Sequence, residues 1–164
     1  MRFGIITITG LVIIWLLSSY TLKHQPRVLT FNDFEPHLYL HNDTTYLINF
    51  WASWCTPCVE EIPAFERVGK EYRYQKVKVL LVSLDFPNQI ESRLIPFLES
   101  HKIRSEVLVL NDPDANEWID RVDPSWSGSI PATLIYHRGD RTFREGVYDY
   151  EELKSIVEQK MNER

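Results

Sequence analysis

One stretch constrains this chain more than any other: an apolar run that meets two cysteines and passes into a helical pattern. Tyr46-Leu47-Ile48-Asn49-Phe50-Trp51-Ala52 reads as a buried strand. Cys55-Thr56-Pro57-Cys58 follows, and these are the only two cysteines in the 164 residues. Beyond them Cys58, Glu61, Ile62, Phe65, Val68 and Tyr72 recur at three- and four-residue spacing, the stripe of a helix from about Thr56 to Tyr74. A Cys-x-x-Cys between strand and helix puts its first sulfur at a helix N-terminus. There, free N–H groups and the helix dipole favour a thiolate. The second sulfur lies one turn further in, close enough to close a disulfide. Cys55 is thus the candidate nucleophile and Cys58 the candidate resolving thiol. An inert structural disulfide is the plainer alternative.

Glu61 stands on the apolar stripe, while Glu60 points away from it. A carboxylate there is desolvated, which raises its pKa towards the operating pH and suits it to proton transfer. A partly exposed helix glutamate is the competing reading. Pro63 removes one helical hydrogen bond and is expected to kink the helix. Pro57 suits a first helical turn. Neither Thr56 nor Pro57 carries charge, so the two residues between the cysteines tune the redox potential without a cation beside the thiolate. Trp51 is expected in the core. Trp54 is expected partly exposed beside Cys55, shaping access. Trp126 is either core or part of a substrate groove.

The rest of the chain alternates strands and helices. Lys76–Leu84 is the clearest central strand. Asn88 can cap a helix carrying Ile90, Leu94, Phe97, Leu98 and His101, with Pro96 kinking it or opening its second half. Glu106–Leu110 is a short strand, and Asp112-Pro113-Asp114 opens a helix to about Val122. Ser125–Pro131 is a loop. Ala132–His137 and Thr142–Val147 are strands joined by Arg138-Gly139-Asp140, and a last helix runs from about Tyr150 to Asn162. Val28–Leu40 is weakly patterned and reads as a short strand and turn at a sheet edge. The order implies an α/β fold, a three-layer α/β/α arrangement around one sheet.

Phe3 to Leu22 holds no charged residue in 20 positions. As a helix it would be roughly 30 Å long, enough to cross a bilayer core. Residues 1–22 are read as a signal anchor, with a cleaved signal peptide as the alternative. Residues 23–30 are read as a linker and 31–164 as one domain. A net charge of −5 without a basic cluster in the sequence argues against nucleic-acid binding. The five histidines show no ligand spacing, so no metal site is expected.

Trp-Cys-x-Pro-Cys after Asn-Phe-Trp-Ala resembles the thioredoxin superfamily. Glu61-Ile62-Pro63 after the second cysteine is similar to the TlpA/ResA branch of membrane-tethered bacterial thiol–disulfide oxidoreductases. The resemblance covers roughly residues 30–160. It implies a thioredoxin-like fold with a mixed sheet and an inserted strand–helix pair, and catalysis by Cys55 and Cys58 with Glu61 as acid–base residue. It implies a cis-proline at Pro131 opposite the cysteines, with Ile130 offering backbone hydrogen bonds to an extended substrate beside Trp54, Thr56 and Pro57. No cofactor is implied beyond the redox-active cysteine pair. The implied partners are disulfide-containing exported proteins, apocytochrome c among them, and a membrane thiol electron donor. The implied place is the outer side of a bacterial cytoplasmic membrane, and the implied direction is reduction.

Two other functions compete. A thiol peroxidase needs a threonine three positions before its reactive cysteine, where this chain has Ala52. A non-catalytic docking module would tolerate loss of a cysteine, of Pro131 or of the acid, and all are present.

Overall fold

The computed structural model describes residues 25–162. The expected anchor over 1–22 lies outside the described residues. Among those described, no helix is long and apolar enough to cross a membrane.

Six strands form one mixed sheet: β1 (Arg27–Leu29), β2 (Thr45–Trp51), β3 (Val77–Ser83), β4 (Glu106–Leu110), β5 (Ala132–His137) and β6 (Asp140–Glu145). Their spatial order is β1-β4-β3-β2-β5-β6. The first four are mutually parallel, whereas β5 runs antiparallel to both β2 and β6. The helices are α1 (Phe31–Phe34), α2 (Thr56–Glu71), α3 (Ile95–Ser100), α4 (Ala115–Val122) and α5 (Tyr150–Asn162). β4 sits between β1 and β3.

All seven residues of β2 are buried, as a strand covered on both faces requires. Alternate side chains feed two cores. Leu47, Leu81, Val109 and Ile135 pack under α2, α3 and α5 with Phe65, Leu98 and Leu153. Ile48, Leu80, Leu108 and Leu134 pack under α1 and α4 with Phe34, Trp118 and Trp126. Trp126 is therefore a core residue: its ring lies 4.7 Å from that of Phe50, and its Nε1 donates to the Ser129 carbonyl at 2.8 Å.

Several expected boundaries move, for identifiable reasons. The sheet begins inside the stretch read as a linker, because Arg27–Leu29 pairs with Leu108–Leu110. Asn88 caps no helix. It lies in a 3-10 turn, Pro87–Gln89, followed by a π turn over Ile90–Leu94. The Ile95 N–H bonds the Ile90 carbonyl five residues back, and Pro96 stands in the first turn of α3, where its missing N–H does no harm. Pro96 thus opens the second half of the segment. α2 stops at Glu71, after which Lys76 takes φ +58° and turns the chain into β3. Pro63 lies inside an otherwise continuous α2, on its exposed side. β6 starts at Asp140 after a two-residue turn and ends before Gly146, whose φ of +99° suits glycine.

Candidate active site

The site lies at the C-terminal edge of the parallel strands, where β2 hands over to α2. Cys55 is the N-cap of α2; its carbonyl accepts the Val59 N–H at 3.0 Å, and its own N–H donates to Ala52 at 3.1 Å. The positive end of the helix dipole therefore lies at Cys55. Cys55 and Cys58 are joined in a disulfide, with Cα atoms 5.3 Å apart. Cys55 keeps a small accessible surface, 7%, while Cys58 has none. Only the first sulfur can meet an incoming disulfide. Thr56 and Pro57 are exposed beside it, and Trp54 is 44% exposed. Trp51 is fully buried, with its ring 5.3 Å from that of Phe97.

The Ile130–Pro131 peptide bond is cis. The Ile130 carbonyl lies 3.8 Å from Cys55 Sγ. A thiol at Cys55 could donate to that oxygen; the disulfide has no proton to give. Pro131 is buried and Ile130 half-buried, so the structure brings Trp54, Thr56, Pro57, Ile130 and Pro131 around the same sulfur.

Glu61 lies one turn beyond Cys58 on the buried stripe, 2% exposed. Asn49 Nδ2 donates to its Oε1 at 2.7 Å, and the Tyr148 N–H donates to its Oε2 at 2.9 Å. Burial pushes the Glu61 carboxyl up to about 7, against the opposing pull of the Tyr148 N–H, the Asn49 amide and the Arg144 guanidinium. Asn49 also donates to Thr133 Oγ1 at 3.0 Å, tying the carboxylate to β2 and β5 together. The turn at Gly146 redirects the chain so that the Tyr148 N–H points inward. Sequence alone did not identify Thr133 or Tyr148 as partners of Glu61.

A second support also escaped the sequence reading. Asp85, 1% exposed, accepts the Ser53 N–H at 2.9 Å, the Ser53 hydroxyl at 2.5 Å and the Ser83 hydroxyl at 2.7 Å. It fixes the turn just before Cys55 to the end of β3. The signal existed in the register: Trp51 pairs with Ser83, so two residues on Ser53 faces Asp85. Without knowing that β2 and β3 are parallel neighbours, Ser83-x-Asp85 looks like an ordinary loop start. Among the described residues, no cluster of histidine, cysteine or carboxylate side chains could hold a metal ion.

Comparison with known proteins gives the family. The sequence model of the AhpC/TSA family matches residues 21–139. The chain belongs to the AhpC/TSA family. Its similarity to individual members is local. Thioredoxin-like protein YneN from Bacillus subtilis is 35% identical over 63 residues, 38% of this chain and 36% of that protein. Thiol-disulfide oxidoreductase ResA from Oceanobacillus iheyensis is 44% identical over 39 residues, 24% of this chain and 20% of that protein. The matches thus span well under half the length of either relative. A thiol:disulfide interchange protein of the thioredoxin family from Chlorobium tepidum superposes with a TM-score of 0.61 at 18% identity, over 77% of this chain and 84% of that one. That likeness establishes the thioredoxin-like fold.

Proposed function

We propose that this member of the AhpC/TSA family is a thiol–disulfide oxidoreductase that works as a reductant on disulfides of exported proteins. The observation that carries the reading is the asymmetry of the pair: one reachable sulfur at a helix N-terminus, one sealed sulfur behind it, and a buried carboxyl one turn further on. The structure holds the oxidised form. In the reduced form the Cys55 thiolate attacks a sulfur of the client disulfide, and one client sulfur leaves as a thiolate. The Cys58 thiol gives its proton to the Glu61 carboxylate and attacks Cys55 Sγ. The second client thiolate leaves, and two electrons have passed from the Cys55–Cys58 pair to the client. A dithiol donor must then reduce the pair, which needs no further cofactor.

Residues 3–22 are assigned to a membrane anchor with the catalytic domain on the extracytoplasmic side, supported by their uncharged 20-residue length. A membrane thiol protein is the donor class that fits this placement. Apocytochrome c before haem attachment is the first client to try. A thiol peroxidase is disfavoured by Ala52, which is buried and has no hydroxyl three positions before Cys55. The test is trapping. Full chain with Cys58→Ser, reduced and mixed with oxidised exported proteins, is expected to accumulate mixed disulfides through Cys55, and the Cys55→Ser variant none. A passive docking module would yield no covalent adduct with either.

A further inference from the structure

A second feature lies far from the disulfide. A cavity of about 780 Å³ opens between the last turns of α2 and the first residues of β3 and β4. Five cations line it, Arg67, Lys70, Arg73, Lys78 and Arg104, against two carboxylates, Glu66 and Glu106. A smaller cavity beside it, reached by Gln25 and Pro26, adds Arg27. Both carboxylates are already committed. Glu66 accepts the backbone N–H groups of Arg104 and Ser105, each at 2.9 Å. Glu106 bridges Arg27 at 3.2 Å and Lys78 at 2.7 Å. Lys70 and Arg104 make no ion pair among the described residues. This concentration of positive charge sits on a chain whose net charge is −5.

Its position gives it meaning. β1, β4, β3 and β2 are parallel, so their first residues share one edge of the sheet and their last residues the other. Cys55 follows the last residue of β2. The cavity lies at the first residues of β3 and β4. α2 runs between the two edges, a distance of about 24 Å for its 16 residues. Residues 1–24 join the described fold at Gln25, on the basic edge, and Phe3–Leu22 ends only three positions earlier. Beside Arg73 stands Tyr74, 83% exposed, with the Arg73 guanidinium 4.3 Å from its ring centre. An exposed tyrosine among cations suits the headgroup level of a bilayer.

We propose that this basic face docks on the anionic phospholipid surface of the membrane that holds the N-terminal segment, with Lys70, Arg73 and Arg104 as its main contacts. Docking turns the opposite edge, with Cys55 and Trp54, away from the bilayer towards soluble clients. The inference rests on the anchor assigned above to residues 3–22.

The test uses the full chain, reconstituted by flotation with vesicles of phosphatidylcholine alone or with phosphatidylglycerol added. Hydrogen exchange is read in peptides covering residues 70–78 and 102–107. The charge-reversed variant Lys70→Glu/Arg73→Glu/Arg104→Glu serves as control, with its disulfide exchange confirming that it folds. The chain is expected to float with both vesicles. Exchange in both peptides should slow several-fold only with the anionic lipid, an effect removed by high salt and by charge reversal. Flotation with both vesicles but equal exchange leaves the anchor standing and overturns the docking face. Flotation of the wild type alone, and only with anionic vesicles, overturns the anchor and keeps the face. Flotation with neither overturns both. Equal slowing by inorganic phosphate on neutral vesicles would make the cavity a site for a soluble anion and overturn the lipid assignment.

Discussion

At the scale of single residues, Glu61 carries the most testable chemistry. Burial holds its carboxyl near 7 in the fold, against 4.5 for the unperturbed group. Between those values the folded chain binds a proton that the unfolded chain has released. Stability contributed by the protonated carboxyl is complete below about pH 4.5 and is lost as pH rises through about 7. A shift of that size corresponds to a loss on the order of 3 kcal/mol across the window. Urea denaturation at a series of pH values should show stability falling more steeply between about pH 4.5 and 7 in the wild type than in Glu61→Gln, the difference between the two being the Glu61 contribution. The same substitution should slow disulfide exchange by about 10²-fold above neutral pH and abolish the rise in rate near pH 7. An unchanged pH profile would remove Glu61 from the proton-transfer role.

At the scale of elements, the site depends on how two neighbouring strand ends are tied. Asp85 takes three hydrogen bonds at the exits of β2 and β3, two of them from Ser53 in the turn before Cys55. Asp85→Ala leaves the Ser53 N–H and two hydroxyls without their acceptor, at a cost of about 2 kcal/mol. Chemical denaturation should register that loss, and amide exchange at residues 53–55 should quicken more than in the core of β2. A variant with wild-type stability and exchange would show that the turn holds itself. The same elements show what the sequence could and could not reveal. β2, α2 and the cysteine pair were legible because burial, period and motif agree over that stretch. Glu61 was legible from its place on an apolar stripe. The Pro87–Leu94 segment was not. Pro87 and Pro96 each open a short helical piece, and between them the chain takes a 3-10 turn followed by a π turn, which no single period in the sequence signals. Nor were Asp85, Thr133 and Tyr148 legible as site residues, since their roles arise from strand register and from the turn at Gly146. These are pairings between distant parts of the chain that no local pattern encodes.

At the scale of the molecule, the two ends of the parallel strands differ in chemistry. One edge presents Cys55, Trp54 and the Ile130–Pro131 segment; the other gathers the cations and carries Gln25, the first described residue. Two cores, one on each face, hold that geometry rigid, and β2 lies at the centre of both. The proposed reaction needs a redox centre at Cys55–Cys58 that is poised to reduce. The residues between the cysteines carry no charge and no histidine to hold the thiolate as a strong oxidant would. The most direct measurement is a redox titration of the full chain in thiol buffers of defined potential, followed by the fluorescence of Trp54 and its neighbours. A reductant of this kind should show a reversible two-electron transition near the value of thioredoxin, about −270 mV. A midpoint near about −120 mV, where strong disulfide-forming oxidants lie, would contradict the reductive direction, and no reversible transition at all would contradict the Cys55–Cys58 chemistry itself.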